Sequence, residues 1–203
     1  LDVALKNISE EQDYTILGQV IGQLELSKSY LNKIYGANHT YVKSMALKLE
    51  QLAWNGTVHN SGNNMRRWFD AYITVTSTQD SLDNLHNLLT GNKVIDGLVI
   101  NQDLRWDIIK QLSRFQYANA ENIIAKELES DSSDTGLKSA IQAEVIVPNK
   151  VTKASWLAKI QDSNTDMPFS KLRSAMTELY TSDQGDLAEL TAEERINSLV
   201  AID

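Results

Sequence analysis

The chain has 203 residues, 42% of them hydrophobic, with a formal net charge of −8 and no cysteine. Such a balance repels nucleic acid, since no basic stripe with interleaved aromatics offsets it, and without thiols there are no disulfides, thiolate metal sites or cysteine nucleophiles. No apolar run approaches the ~20 residues that a membrane-spanning helix needs, and no basic stretch followed by an apolar one marks a secretion signal. The chain starts at Leu1 rather than Met and closes on Leu199-Val200-Ala201-Ile202-Asp203, ends that read as cut points in a longer polypeptide.

With two prolines and few alternating runs, the sequence predicts helices nearly throughout. Ser9 followed by Gln12 resembles a capping box, and behind it Ile16, Leu17, Val20, Ile21, Leu24, Leu31 and Ile34 fall on one helical face that Gly36 closes. A second stripe, Val42, Met45, Ala46, Leu49, Leu52 and Ala53, is expected to stop near Asn55-Gly56. Met65, Trp68, Phe69 and Tyr72 mark a third helix, and Leu82, Leu85, Leu88 and Leu89 a short fourth ending at Gly91. From Asn92 to Asn101 the apolar residues Val94, Ile95, Leu98, Val99 and Ile100 lack helical spacing, which predicts an extended connector tucked under a neighbour.

Leu104, Ile108, Leu112 and Phe115 restart the period, and Ala120, Ile123, Ile124 and Leu128 continue it, with Glu121, Glu127 and Glu129 expected in water. Asp134-Thr135-Gly136 opens the next helix, in which Ala140 and Ala143 permit close packing, and Pro148 stops it. Val151, Ala154, Leu157 and Ile160 predict another stripe, as do Phe169, Leu172, Met176 and Leu179. Thr191 and Glu194 resemble a last capping box before Ile196, Leu199 and Val200. The expected architecture is all-α: roughly ten helices in antiparallel pairs of ~30–45 residues, stacked as an α-α superhelix of the ARM/HEAT kind. A compact helical bundle is the alternative.

Chemistry is sparse. A zinc-peptidase helix needs two histidines at i and i+4 with a glutamate after the first. His39, His59 and His86 are followed by Thr40, Asn60 and Asn87, so none begins that motif, and all three read as solvated. There is no serine nucleophile elbow, phosphate loop or dinucleotide fingerprint. Paired acids such as Glu10 with Glu11 and Glu193 with Glu194 favour the positive ends of helices. Arg66 with Asp70 predicts an i,i+4 surface pair. One residue stands apart: at about 100° per residue, Arg105 falls at the edge of the arc of Leu104, Ile108 and Leu112. A cation there needs carboxylate or carbonyl partners. It either ties neighbouring helices together or points into a cavity where it could meet a peptide carboxylate.

The ordered series Leu88-Leu89-Thr90-Gly91, Gly97-Leu98 and Asp103-Leu104-Arg105-Trp106 is similar to a run in the C-terminal helical domain of aminopeptidase N-type zinc metallopeptidases. The similarity continues through Glu127, Asp131, Asp134-Thr135-Gly136, Ala140, Ala143, Pro148, Lys153 and Trp156. Residues before Leu88 match only in helical rhythm, and those from Met167 onward match loosely. The resemblance implies that residues 1–203 form one C-terminal helical domain, covering the active site of a separate catalytic domain of the same polypeptide and controlling substrate access. It implies release of N-terminal residues from peptides by the parent, with zinc in that other domain and none in this fragment. Its substrate motif and zinc helix are missing here, so no catalytic or metal residue carries over and no peptidase activity is expected of the fragment alone. The expected partners are the catalytic domain and the parent's peptide substrates, without nucleic acid or membrane, in a bacterial cytoplasm. The competing reading is a self-standing helical-repeat scaffold that binds another protein.

Overall fold

The computed structural model describes residues 2–36, 38–181, 183–190, 192, 193 and 196. Among these it is all-α, without a strand, and it divides into two compact units, Leu1–Ile108 and Ile109–Asp203. The first unit contains α1 (Asp2–Asn7), a 3-10 turn (Ile8–Glu10), α2 (Tyr14–Tyr35), α3 (Thr40–His59), α4 (Gly62–Val75) and α5 (Gln79–Thr90). Helix α6 (Gln102–Arg114) carries the boundary between the units. The second unit contains α7 (Ala120–Ser130), α8 (Asp134–Val145), α9 (Lys150–Gln161), α10 (Phe169–Glu178) and α11 (Gly185–Leu190).

In the first unit α2, α3 and α4 pack against one another. Ile21 and Leu24 of α2, Leu49 and Ala53 of α3, and Trp68 and Val75 of α4 surround one small apolar gap. Helix α2 starts one turn later than the capping-box pattern predicts. Ser9 lies in the 3-10 turn, and the Asp13 carboxylate instead accepts the amides of Thr15 and Ile16, both at 2.9 Å. Such a cap is worth about 1 kcal/mol. Of the predicted α2 stripe, Leu17, Ile21 and Leu24 are buried while Ile16 and Ile34 lie exposed. Gly36 does end the helix, at φ 79°, its amide bonded to the Asn32 carbonyl.

Helix α3 does not stop at Asn55-Gly56 but runs on to His59. A Cβ on Gly56 would stand 2.2 Å from the Trp68 ring, so this glycine is the point where α4 crosses closely. Tertiary packing has overridden its low helix propensity. All four predicted leucines of α5 are buried, and Gly91 closes the helix in the left-handed region at φ 78°. The connector after it is irregular as expected, yet only Ile95, Leu98 and Ile100 are half-buried; Val94 and Val99 face solvent.

The second unit gathers Val145, Trp156, Leu157, Ala175 and Leu179 into one core, with Ile141, Ile160, Met167 and Tyr180 at its margin. Ala140 and Ala143 of α8 are buried as predicted, and Ser133 caps that helix through the Gly136 amide at 3.0 Å. Three expectations here need correction. Glu127 is buried rather than solvated. The inward face of α9 is Lys153, Trp156, Leu157 and Ile160, while Val151 and Ala154 are exposed. A strict three-residue spacing drifts around a helix of 3.6 residues per turn, whereas i, i+3, i+4, i+7 stays on one face. In α10 the inward residues are Leu172 and Ala175, followed by Leu179, with Phe169 and Met176 outside. The proposed Thr191–Glu194 box lies outside the described residues.

Candidate functional site

The three histidines occupy separate positions with local roles. His39 precedes α3 and accepts the Tyr41 amide on Nδ1 at 3.3 Å. His59 sits on the last turn of α3, its Nδ1 2.9 Å from the Asn55 carbonyl. His86 lies mid-way along α5 and is half-buried. Among the described residues no group of three or more His, Asp or Glu side chains is placed to hold a metal ion. These positions therefore do not fit a zinc site.

Arg105 lies half-buried on α6, where Nη1 donates to the carbonyl of Leu89 at 3.0 Å. That carbonyl belongs to the last turn of α5, whose C-terminal end carries partial negative charge. The guanidinium thus ties the start of one helix to the end of another. Arg66 pairs with Asp70 at 2.8 Å on the surface, as its spacing predicts. Its neighbour Arg67 instead stacks its guanidinium 4.1 Å from the Tyr14 ring centroid.

Two buried charges that belong to no sequence motif brace helix ends, one in each unit. In the first unit Glu50 of α3 is 1% exposed. One carboxylate oxygen accepts the Ser77 amide and hydroxyl and the Thr78 amide; the other accepts the Thr78 and Ser81 hydroxyls, all between 2.5 and 3.0 Å. These donors come from the chain entering α5, so an anion is held at the positive end of that helix. Five donors on one carboxylate compensate its desolvation. Beside them Asn84 donates to the Tyr72 hydroxyl at 3.0 Å, and Lys93 donates to Asn84 at 2.6 Å while lying over the Trp54 ring. Burial pushes the Tyr72 hydroxyl above its ordinary pKa. The sequence carries only a weak signal: at about 100° per residue, Glu50 lies beside the stripe of Ala46, Leu49 and Ala53 and outside its edge.

In the second unit Lys153 of α9 is equally buried. Its ammonium donates to the carbonyls of Val145 at 2.7 Å and Glu178 at 3.3 Å, the last residues of α8 and α10. A cation thus sits at the negative ends of two helices. Burial lowers its pKa to about 8, opposed by the charges of Asp183 and Glu178 and reinforced by Arg114. Arg114 grips Asp183 with two parallel bonds, Nε to Oδ2 at 2.9 Å and Nη2 to Oδ1. Burial raises the Asp183 pKa, but the bond and charge of Arg114 outweigh it and hold the carboxyl below its usual range. Gln184 donates to the Ile146 carbonyl at 2.7 Å, satisfying a buried carbonyl at the end of α8.

What these geometries define is an all-helical domain in which buried charges brace the ends of helices. The chain belongs to the family of ERAP1-like C-terminal domains, whose model matches residues 1–193. It is also similar to Aminopeptidase N of Streptomyces lividans, with 26% identity over 133 residues, 65% of this chain. The matched region is 15% of the length of that relative. Together these findings make it a C-terminal domain of an aminopeptidase N-type enzyme. No described helix is long and apolar enough to cross a membrane.

Proposed function

We propose that residues 1–203 act as one non-catalytic domain that covers the active site of a zinc aminopeptidase and controls which peptides reach it. The observation that carries this reading is the match of the C-terminal domain model across nearly the whole chain. In this reading the helices stack as antiparallel pairs in a superhelix whose concave side closes over the zinc of the catalytic domain. Enclosure excludes water from the reacting groups, and movement of the lid gates peptide entry and release. The zinc, the general base and the hydrolysis of the N-terminal peptide bond belong to the rest of the polypeptide. The partner is the catalytic domain of the same chain, and the substrates are peptides.

Arg105 is the residue we place toward a peptide carboxylate, its half-buried guanidinium anchored through Nη1 to Leu89. In the full-length enzyme, Arg105→Ala is expected to raise KM for long peptides several-fold while leaving aminoacyl-anilide turnover within twofold. Equal kinetics on both substrates would remove Arg105 from this role. Reading the coding region upstream of Leu1 tests the wider assignment: a His-Glu-x-x-His helix is expected there. The isolated chain with zinc should not cleave aminoacyl anilides, and measurable turnover would overturn the division of labour.

A further inference from the structure

Helix α2 exposes an apolar face that the fold of its own unit does not use. At about 100° per residue, Ile16, Val20, Leu26, Tyr30 and Ile34 fall within an arc of about 120°, away from the buried Leu17, Ile21 and Leu24. Four of the five stand well into solvent: Ile16 at 47%, Leu26 at 49%, Tyr30 at 57% and Ile34 at 68%. Ile16 and Ile34 are separated by about five turns, so the strip runs the length of the helix. The remaining residues inside the arc are Gln19, Gln23 and Ser27. The helix carries three charged side chains, Glu25, Lys28 and Lys33, and all lie outside the arc. A solvated helix face normally bears charge, whereas the centre of a protein interface is depleted of it.

We infer that this face is the docking surface for polypeptide that precedes this domain in the full-length aminopeptidase, seated as one more layer of amphipathic helix on α2. Two observations select that occupant. The matched region is 15% of the length of the Streptomyces relative, and its family is that of a C-terminal domain, so most of such an enzyme lies on the N-terminal side. Helix α2 is also the first long helix among the described residues, packed through its other side on α3 and α4, so its free side is where one further layer would add. An apolar, uncharged strip suits a permanent intramolecular contact; a partner that comes and goes would meet a more polar one. This inference rests on the reading of the chain as part of an aminopeptidase, and it stands apart from the control of substrate access.

The test uses full-length enzyme in which any upstream cysteine has been replaced, since the 203 residues here contain none. Ile16→Cys, Ile34→Cys and the exposed control Glu129→Cys are introduced singly, and maleimide labelling is compared in native and urea-unfolded protein. The expected result is at least a tenfold slower native rate at positions 16 and 34, with the control within twofold of its unfolded rate. Native labelling as fast as the control at both positions would overturn the proposal. So would protection that vanishes on dilution to a monomer measured by sedimentation, because the face would then be covered by a second copy. Loss of peptide-length discrimination is a separate assay, so failure of the access reading leaves this result distinguishable.

Discussion

Glu50 in the first unit and Lys153 in the second are buried ions of opposite sign, used in mirror-image ways. In the first, the Glu50 carboxylate accepts five hydrogen bonds around the entry to α5. In the second, the Lys153 ammonium donates to carbonyls that end α8 and α10. Each ion sits where the helix dipole favours it. They differ in how fully they are compensated. Glu50 has both oxygens engaged by hydroxyls and amides, while Lys153 loses enough solvation for its pKa to fall to about 8. The lesson is that each of these two ions marks a junction between helices, where backbone groups freed at a helix end meet a charge of the right sign.

That comparison can be broken most forcibly at Glu50. Glu50→Ala leaves five buried or half-buried donors without their acceptor, and we expect a loss of about 3–5 kcal/mol in chemical denaturation followed by Trp fluorescence. A change below about 1 kcal/mol would mean that water replaces the carboxylate and that the junction is not held by it.

The effect at Lys153 is next in size and has a defined sign. Unfolded lysine keeps its proton up to its ordinary 10.5, whereas the folded residue gives it up near 8. Between those values unfolding takes up a proton, so alkali favours the folded state relative to a variant that does not titrate. The stability of the native sequence minus that of Lys153→Met should rise between pH 8 and 10.5 by at most about 1.4 kcal/mol per unit, about 3 kcal/mol in all, and stay flat below pH 8. A difference that is level throughout would show the ammonium to be as well solvated as a surface lysine. The smallest effect belongs to the surface: Arg66→Ala removes an exposed i,i+4 pair and should cost no more than about 0.5 kcal/mol.

Much of the helical plan was legible because apolar spacing reports a helix directly. The leucines of α5, the aromatics of α4 and the stop at Gly91 came straight from periodicity and glycine chemistry. Errors arose where a residue's role is fixed by a neighbour distant in sequence. Gly56 looked like a terminator until Trp68 crossed it, and Glu127 looked solvated because acids usually are. The stripe of α9 went astray for a related reason, since a lysine at its centre was not expected to point inward. Arg105 stands out by its place beside apolar neighbours and Lys153 by its place between Leu157 and Ile160 on the helical wheel, whereas Glu50 lies outside the edge of its stripe. Their partners were beyond reach of any local pattern: Glu50 meets residues about thirty positions later, and Lys153 meets the ends of two helices on either side of it.

The central claim is that these helices shape access to a zinc centre held elsewhere in the polypeptide. The most direct measurement compares full-length enzyme with a version ending just before Leu1, assaying kcat/KM on an aminoacyl anilide and on peptides of increasing length, with bound zinc quantified in both. The account predicts that zinc content is retained while the dependence on peptide length collapses. An unchanged length profile at equal zinc content would contradict it.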